Sequence, residues 1–475
     1  MNWSFLSSLT ARVICLSFLL SFAALPTASL AQLDPRFDVI SDQQYDLLRQ
    51  VLLGTEGALT QKWGNKDPIN PTDCEDPILD NVHAGVDYGD PMGAEIRSAT
   101  AGEVIQVTEG ADCPDLDCLS RVRIFNLVVR KAFVYIHLIP EVSEGQMVKA
   151  GQRIGTVAAR GAETPHLHFQ VSLRKTITNC IDGTVNPYEA VFPSVYVNGG
   201  TLGDGSITKI DSGTGAITTL ATGFISPEDM TTDADGRLYV AENDFAASTS
   251  KIERINPDST GLVIIDATIC GPEGPTFSPD GDLFVNTRQF PCAHSGVWRI
   301  QGGQPGGRVD NVVPAFSDFG EGTAFLTAGP FAGDLIAAGS IIEGGFTVAA
   351  KIVRSTAPDF GDAVLFVDLT EEVPEVPVGL AVNSEGDVFV ASVFKGTVLQ
   401  YGPTGVFKDI LASDLAGPHF LEFDASDNLY VAEHDSGNVS LIDPRGNKTV
   451  LATLSTPVGL ALGMRSGRLL LGLLE

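Results

Sequence analysis

Hydrophobic and polar positions change their spacing along the chain, and each change predicts a different kind of element. From Phe37 to Gly54 apolar residues recur at helical intervals and a glycine follows, which predicts one short leading helix. From about Ala58 to Asn81 the chain is polar and contains prolines, which is typical of a loop. Short β-rich runs separated by turns then predict an antiparallel β domain ending near Pro193. These runs are EIRSATAGEVIQVTE, RVRIFNLVVRK, AFVYIHLIP, QRIGTVAAR and HLHFQVSLR.

The second half of the chain repeats one strand pattern. RLYVAE, DLFVNT, DLIAAG, DVFVAS and NLYVAE are successive copies, with SVYVNG at Ser194 and RLLLGL at Arg468 as weaker outer copies. The aligned apolar positions are separated by 43, 45, 52, 53, 41 and 40 residues. About four short strands per period of this length is the signature of a β-propeller. Six periods predict six blades, with PVGLAL completing the blade that begins at Ser194. The copy RLLLGL exceeds that scheme and leaves a seventh, incomplete blade open.

The predicted fold class is therefore all-β, an antiparallel β-sheet domain followed by a six-bladed β-propeller. The predicted ranges are 32–82 for the leading helix and loop, 83–193 for the β domain and 194–475 for the propeller. The content of 44% hydrophobic residues and 50 glycines is typical of a globular, turn-rich chain. The net charge of −29 would repel phosphate backbones, which argues against nucleic acid as a partner.

Residues 1–31 have the pattern of a signal peptide. Arg12 precedes the apolar run ICLSFLLSFAALP, and the small-residue ending at Ala31 suits cleavage before Gln32. An uncleaved membrane anchor is the alternative, but the apolar run is short for a membrane span. We expect export to the periplasm or the outside of the cell, with no membrane segment in the mature chain.

Cysteine usage agrees with export. Removal of residues 1–31 takes away Cys15 and leaves six cysteines, an even number that indicates disulfides in an exported chain. The predicted pairs are Cys113–Cys118, Cys270–Cys292 and Cys74–Cys180. Connectivity does not follow from sequence alone, and the alternative of a cysteine zinc site lacks any CxxC pair.

Four of the seven histidines lie in three short patches of the β domain, HAGVDYG, YIHL and HLHF. His83 and Asp87 are four residues apart with a glycine between them, so a tight bend would bring both onto one metal. His166 and His168 are two residues apart, which places both imidazoles on the same face of a strand. Three such ligands can hold a Zn²⁺ and leave one position for water. Two further imidazoles nearby, including His137, would move protons or stabilise an oxyanion.

These patches resemble the lysostaphin-type family of zinc endopeptidases, which includes the β-lytic and murein-hydrolysing metallopeptidases. The resemblance covers residues 83–187 and includes the spacers DPMGAEIRSATAGEVIQV and VSEGQMVKAGQRIGTVAARG. Ordered patches with matching spacers are a strong signal, whereas a lone HxH is weak. The resemblance implies the family's antiparallel sheet fold, of the duplicated hybrid motif type. It also implies cleavage of peptide bonds next to glycine or D-alanine in peptidoglycan.

Carried over residue by residue, the resemblance assigns a role to each member of the patches. It makes His83, Asp87 and His168 the ligands of one Zn²⁺ per chain. It makes His166 the general base and His137 the group that holds the attacking water or stabilises the oxyanion. A domain that keeps the fold but has lost catalysis is the alternative. Such regulators typically lose metal ligands, and this chain retains the set.

Several features depart from the family's pattern or leave a role open. The text before HLHF is ARGAETP, so Glu163, Thr164 and Pro165 replace smaller residues beside the cleft. The insert CPDLDC is unusual and would reshape a wall of the groove. Tyr135 shares a strand face with His137, and both core packing and cleft lining remain open for it. Three residues before the first patch would be candidates for a latent fourth ligand: Asn70, Asp73 and Glu75.

The second half resembles the NHL and gluconolactonase-type six-bladed propellers over residues 194–475. Glu273, in EGPTF, resembles the metal-binding glutamate segment of the gluconolactonase-type propellers. The comparable positions of other repeats hold Glu228, Glu321 and His419. A channel cation and a channel lining without any ligand both remain open. His294 and His434 are predicted to lie in surface loops.

The sequence therefore predicts a secreted zinc metallo-endopeptidase that acts on the stem or cross-bridge peptides of peptidoglycan. The propeller would bind the wall, the substrate, or a protein or glycan ligand. A second hypothesis is an extracellular binding or adhesion propeller with a regulatory or inactive peptidase domain. A third, a gluconolactonase-like activity, requires a ligand set around Glu273, which the sequence does not identify.

Overall fold

The computed structural model describes most of the chain after the predicted signal peptide. The described residues are 40–63, 83–89, 92–109, 120–159, 162, 164–173, 183–199, 205–244, 249–288, 296–343, 346–361, 363–370 and 377–464. They are built almost entirely from antiparallel strands, so the predicted all-β class is confirmed. No helix among them is long and apolar enough to cross a membrane.

The leading helix, α1, spans Asp42–Leu53. It begins later than predicted because Ser41 caps it: the Ser41 side chain accepts from the Gln44 amide, and the Gln44 side chain accepts from the Ser41 amide. Gly54 follows the last turn with a φ of 67°, a conformation that favours glycine. The helix buries one face, which includes Tyr45 and Leu48, against the β domain.

The β domain contains two antiparallel sheets and a second short helix. The strands of the larger sheet are, in spatial order, β1 Ala58–Gln61, β2 Val86–Gly89, β10 His166–Ser172, β6 Lys131–Ile136, β5 Arg121–Asn126, β4 Gly102–Thr108 and β8 Met147–Val148. The smaller sheet has the order β3 Glu95–Arg97, β9 Arg153–Val157 and β7 Leu138–Pro140, and helix α2 spans Pro187–Val191. One buried apolar cluster joins both sheets and both helices. The loop expectation for residues 58–81 is wrong at its start, because β1 pairs with β2 there.

The propeller consists, among the described residues, of six four-stranded sheets. Blade 1 contains β11 Ser194–Gly199, β12 Gly205–Asp211, β13 Ile217–Phe224 and, from the C-terminal side, β34 Leu460–Gly463. Blades 2 to 4 contain β14 Pro227–Thr232, β15 Leu238–Asp244, β16 Thr249–Ile255, β17 Val263–Asp266, β18 Pro272–Phe277, β19 Leu283–Thr287, β20 Gly296–Ile300, β21 Val309–Val313, β22 Phe319–Phe325, β23 Leu335–Glu343, β24 Phe346–Ser355 and β25 Val364–Asp368. Blades 5 and 6 contain β26 Pro377–Val382, β27 Val388–Ser392, β28 Thr397–Tyr401, β29 Phe407–Ala412, β30 Pro418–Phe423, β31 Leu429–Glu433, β32 Asn438–Ile442 and β33 Lys448–Thr453.

Ring closure follows the predicted scheme. Strand β34 pairs with β11, with Ser194 opposite Gly463 and Val197 opposite Leu460. The innermost strands β14, β18, β22, β26, β30 and β34 contact one another in turn around the channel. The six-bladed prediction is therefore confirmed. The surplus copy RLLLGL lies outside the described residues.

The β domain and the propeller share buried contacts. Ala425, in the turn between β30 and β31, is 2% exposed and packs in the apolar cluster of the β domain. Its carbonyl oxygen accepts hydrogen bonds from the Ala101 amide at 2.9 Å and from Asn126 Nδ2 at 3.0 Å. The neighbouring Ser426 hydroxyl donates to the Ala99 oxygen at 3.3 Å. A propeller turn is thus part of the core of the β domain.

The tip of the β5–β6 hairpin covers one mouth of the propeller channel. Arg130 Nη1 donates to the Phe277 oxygen, and Lys131 Nζ donates to the Ala234 oxygen, both at 3.3 Å. A cavity of about 760 Å³ lies between this tip and the C-terminal ends of the inner strands. We call this end the covered mouth. The opposite end, where the inner strands begin, is called the far mouth.

The sequence expectations for the cysteines fall largely outside the described residues. Cys270 is disulfide-bonded. Its predicted partner Cys292 and the other cysteines are outside the described ranges, so the three pairings stay predictions. The predicted signal peptide at residues 1–31 lies outside them as well.

Candidate metal centre

Three neighbouring strands bring the histidine patches together. Strand β10 lies between β2 and β6, and His168 is opposite Asp87 on one side and Ile136 on the other. His137 follows β6 directly. His166 lies two residues before His168 on the same strand and therefore on the same face. The sheet order thus brings segments that are far apart in sequence to adjacent strands.

His83, Asp87 and His168 form a trio whose donor atoms converge. His83 Nε2 lies 3.2 Å from His168 Nδ1 and 3.4 Å from Asp87 Oδ1. His168 Nδ1 lies 2.9 Å from Asp87 Oδ1. Metal–ligand bonds of about 2.0–2.1 Å in a tetrahedron separate neighbouring ligand atoms by about 3.3 Å. Within the described part of the chain, no other group of at least three His, Cys, Asp or Glu residues converges in this way.

The outer nitrogens of both histidines face oxygen acceptors. His83 Nδ1 lies 3.2 Å from the Lys62 carbonyl oxygen, and His168 Nε2 lies 3.4 Å from Gln170 Oε1. Carbonyl oxygens only accept hydrogen bonds, so these nitrogens carry the hydrogens. The nitrogens that face the centre therefore present lone pairs, next to the Asp87 carboxylate. Two lone pairs and an anion pointing at one place is the donor set of a metal cation.

Asp87 is ionised in this environment. It is 8% exposed, and burial by itself raises the pKa of its carboxyl. When His83 and His168 are protonated, as they can be without a metal, their charge and hydrogen bonds outweigh burial and hold the pKa of Asp87 well below its usual value. The centre therefore contains one anionic ligand and two neutral ones when it is ready for a metal.

His166 and His137 form a pair beside the trio. Their ring centroids are 4.3 Å apart with an interplanar angle of 55°. His166 Nδ1 lies 3.0 Å from the Thr164 carbonyl oxygen, which leaves Nε2 with the lone pair. That Nε2 lies 4.0 Å from Asp87 Oδ2, at the edge of the trio.

The backbone of His137 adopts a left-handed conformation with a φ of 66°. Non-glycine residues seldom adopt it, because the β-carbon then crowds the backbone. Two hydrogen bonds hold it here: the His137 amide donates to the Ser120 oxygen at 3.0 Å, and the Ala158 amide donates to the His137 oxygen at 2.9 Å. The chain passes from the larger to the smaller sheet at this residue, and the side chain is thereby directed at His166.

The segment that contains the trio and the histidine pair matches the sequence model of a known protein family. Residues 81–180 match the model described as Peptidase family M23, and this segment contains the trio and the histidine pair. Residues 81–180 form an M23 peptidase domain. The peptidase resemblance in the sequence is confirmed for this segment.

The M23 domain also matches a curated relative. Peptidoglycan DD-endopeptidase ShyB of Vibrio cholerae serotype O1 is 34% identical over 101 residues, which is 21% of this chain and 22% of that protein. The match therefore spans about a fifth of the relative's length.

Two solved structures resemble this chain at low similarity. A chain from the crystal structure of a nidogen/laminin complex has a TM-score of 0.46 and 13% identity, over 57% of this chain and 98% of that chain. A catalytically inactive virginiamycin B lyase from Staphylococcus aureus with quinupristin has a TM-score of 0.35 and 17% identity, over 47% and 69%.

Gly85 fills a position of the M23 domain where no side chain fits. A β-carbon there would lie 2.6 Å from His168 Nε2 and 2.7 Å from the Phe169 oxygen. Its φ is not in the left-handed range, so the requirement is for space. The sequence expectation attributed this glycine to a tight bend. The structure adds that the His168 ring packs directly on it.

Sequence reasoning missed two groups that orient the trio. The Lys62 carbonyl belongs to the segment after β1, and no local pattern connects it with His83. Gln170 had a signal, because it continues the alternation of HLHFQV on the face of His166 and His168. Its Nε2 donates to Ser172 at 3.1 Å, which fixes the amide.

Of the other residues singled out in the sequence of the M23 domain, some belong to the described part of the structure and some do not. Tyr135 is fully buried, accepts a hydrogen bond from the Ala99 amide at 2.7 Å and packs on Phe169, so it belongs to the core. Thr164 contributes its carbonyl to His166. Glu163, the CPDLDC insert and the latent-ligand candidates Asn70, Asp73 and Glu75 lie outside the described residues.

The propeller candidates lie at the far mouth. Glu228, Glu273, Glu321 and His419 occupy equivalent places near the start of four inner strands. Arg288 Nε lies 2.7 Å from Glu273 Oε1. Within the described residues, the carboxylates of the propeller do not converge as the trio does. His434 lies in the turn 434–437, as predicted, and His294 is outside the described residues.

Proposed function

We propose that this chain is an exported zinc metallo-endopeptidase that hydrolyses peptide bonds of peptidoglycan. The observation that carries the proposal is the convergence of His83, Asp87 and His168 next to the pair His166 and His137, inside a segment that matches peptidase family M23. The trio would bind the metal, and the neighbouring His166 and His137 would transfer the proton and stabilise the oxyanion.

Zinc is the ion that the donor set suits best. Two imidazoles and one carboxylate are typical ligands of a catalytic zinc site, which keeps one position open. His83 Nε2, His168 Nδ1 and Asp87 Oδ1 would hold one ion per chain. Zinc, when bound, would polarise the scissile carbonyl and lower the pKa of a water molecule towards about 7. The negative charge of Asp87 limits that effect, so a neighbouring base is needed.

His166 is the proposed general base. Its Nδ1–H is directed at the Thr164 oxygen, so its Nε2 lone pair is free to accept the proton of the attacking water. The side chain is 21% exposed, which leaves it accessible to substrate at the edge of the trio. After attack, the same nitrogen would return the proton to the leaving amine.

His137 is proposed to position the attacking water or to stabilise the oxyanion. Its ring lies 4.3 Å from that of His166, and the pinned backbone fixes its direction. A donor held in advance costs no reorganisation when negative charge develops on the carbonyl oxygen.

Peptidoglycan is the proposed substrate because of the relative's activity. ShyB is named a peptidoglycan DD-endopeptidase, and the M23 domain of this chain is 34% identical to its matched segment. Such a substrate agrees with the expected signal peptide and with a periplasmic or extracellular location. The propeller would act as a binding module for the wall or for another ligand.

The competing hypothesis assigns the function to the propeller and a regulatory role to the M23 domain. A cavity of about 260 Å³ at the far mouth favours a binding role for the propeller. Both hypotheses predict binding, but only the peptidase proposal predicts new amine termini in the substrate.

The decisive experiment is mass spectrometry of purified peptidoglycan after incubation with the oxidised mature chain, residues 32–475, loaded with zinc. His166→Ala removes the proposed base, and His434→Ala is the matched control at a propeller turn. We expect new amine termini from the wild type and from His434→Ala, with at least a hundredfold less from His166→Ala. Equal cleavage by His166→Ala would contradict its role. No cleavage by a wild type that holds one zinc would contradict the peptidase proposal for this substrate and favour the propeller hypothesis.

A further inference from the structure

The far mouth of the propeller channel contains a second candidate binding site, unrelated to the metal centre. The cavity there has a volume of about 260 Å³ and lies at the end of the channel away from the M23 domain. Its lining combines charged and apolar groups, which include Glu228, Arg288, Phe319, Glu321, His419 and Val458.

Carboxyl groups outnumber cationic groups at this far-mouth cavity. Arg288 Nε lies 2.7 Å from Glu273 Oε1, and its Nη2 lies 3.5 Å from Glu228 Oε2. One guanidinium therefore faces three carboxyl groups, those of Glu228, Glu273 and Glu321. His419 adds no positive charge near neutral pH, because burial and the neighbouring His434 lower its pKa to about 4.

Glu321 is the carboxyl group of this cavity that lacks a close partner among the described residues, although the charge of Arg288 acts on it. It is 5% exposed and lines the cavity, and within the described part of the chain its carboxyl has no hydrogen-bond or ion-pair partner. Buried carboxyl groups are normally paired or hydrogen-bonded. Burial raises the pKa of Glu321 to about 7, which a cation in the cavity would reverse.

Two observations favour an organic cation over a metal ion. The carboxylates of the far mouth do not converge within the range that the trio of the M23 domain satisfies. Apart from Ser340, the rest of the lining is apolar and includes Phe319, Val378 and Val458. A metal ion would meet too few oxygen ligands, whereas an alkyl ammonium can pair its head with a carboxylate and its chain with apolar walls.

We propose that the far-mouth cavity binds a primary ammonium group on a short apolar chain, with Glu321 as the counter-ion. Arg288 pairs closely with Glu273 and acts on Glu321 only through its charge, so the Glu321 carboxylate remains available to a ligand. The inference does not depend on the peptidase proposal, because it concerns binding by residues of the propeller alone.

The test is calorimetric titration of the full chain with n-butylammonium chloride at pH 7.5. An ammonium ion has no lone pair, so it does not compete for a metal at the M23 domain. We expect saturable binding at one site per chain. Glu321→Gln preserves the shape of the side chain and removes its charge, and we expect at least a tenfold weaker affinity. Glu385→Gln, an exposed carboxyl in a turn on the covered side, is the matched control and should bind like the wild type.

A second variant tests the same cavity independently, in case Glu321→Gln misfolds. Val458→Lys would place a tethered ammonium at the cavity wall and should also abolish binding, with circular dichroism confirming the fold of both variants. Absence of saturable binding to the wild type would overturn the proposal. So would equal binding of n-butanol, because charge would then be irrelevant. Calcium binding with the same dependence on Glu321 would instead make the cavity an inorganic cation site and would equally overturn it.

Discussion

Asp87 and His168 are opposite each other on paired strands, and Asp87 Oδ1 lies 2.9 Å from His168 Nδ1. Their separation is therefore set by the register of β2 and β10, not by a loop. A register fixed by a buried sheet resists change, since a slip of one residue would turn both side chains to the other face. The centre is thus held in shape before any metal arrives.

Loss of the anionic ligand should empty the centre. We expect Asp87→Asn to retain less than about a tenth of the zinc that the wild type holds after dialysis, because an amide oxygen is a much weaker ligand than a carboxylate. Elemental analysis of the dialysed protein measures this. Asp359→Asn, at an exposed propeller position, should keep one zinc per chain. Full zinc occupancy in Asp87→Asn would remove Asp87 from the proposed ligand set.

A single methyl group at Gly85 should disturb the centre. The β-carbon of Gly85→Ala would overlap the His168 ring, so the ring must move and zinc affinity should fall at least tenfold. Competition with a zinc-sensitive dye gives the affinity. Gly361→Ala is the control, because no atom lies within 4 Å of its added β-carbon. Unchanged zinc affinity in both variants would show that the ring is not held where we describe it.

Gln170 should raise the zinc affinity of the centre by orienting the His168 ring, without itself binding the metal. Its Oε1 faces His168 Nε2, and removal of such an outer partner typically weakens metal affinity by about 10- to 100-fold. We expect that loss in Gln170→Ala, with the zinc stoichiometry unchanged at saturating metal. Gln301→Ala, at an exposed position of the propeller, provides the baseline. An affinity equal to that baseline would mean that the contact at 3.4 Å does not orient the ring.

Asn126 should stabilise the junction between the M23 domain and the propeller. Its amide group is fully buried, donates to the Ala425 oxygen and accepts from the amides of Val128 and Val129. Truncation in Asn126→Ala leaves those groups short of partners, so we expect a loss of about 2–3 kcal/mol in the free energy of unfolding. Guanidinium denaturation measures it, with exposed Asn311→Ala expected within about 0.5 kcal/mol of the wild type. A loss as small as that of the control would contradict a structural role.

Lys131 should make stability rise at alkaline pH. Burial lowers its pKa to about 8, against the partly compensating charges of Asp235 and Asp233. Between pH 8 and about 10.5 the unfolded chain keeps the proton that the folded chain has released, so the free energy of unfolding gains about 3 kcal/mol from this group as pH rises. The difference between the wild type and Lys131→Met should grow accordingly. Replacement of the exposed Lys149 by methionine should leave the pH dependence unchanged, and a parallel curve for Lys131→Met would refute the assignment.

Local periodicity explains what the sequence could predict. Alternation in HLHFQV places His166 and His168 on one face, and the repeat of 40 to 53 residues predicts six blades and the closing strand, because both patterns are set by nearby residues. Long-range contacts explain what it could not. Strand β1 is four residues long and forms because β2 offers an edge. The contact of the Lys62 carbonyl with His83 and the packing of the Ala425 turn in the M23 core cannot be predicted from the local sequence around Lys62 or Ala425.

The turn that carries Ala425 has a consequence for how this protein can be divided. The Ala425 turn of the propeller is part of the core of the M23 domain, and the β5–β6 hairpin of the M23 domain covers one mouth of the propeller. We therefore expect that neither half can be transferred alone without loss of stability. Grafting residues 81–180 onto another carrier would leave the Ala101 amide and the Asn126 side chain facing water or a cavity. A chimera that joins the M23 domain to a different propeller must therefore keep the Ala425 turn as well. We expect the two halves to have evolved as one unit.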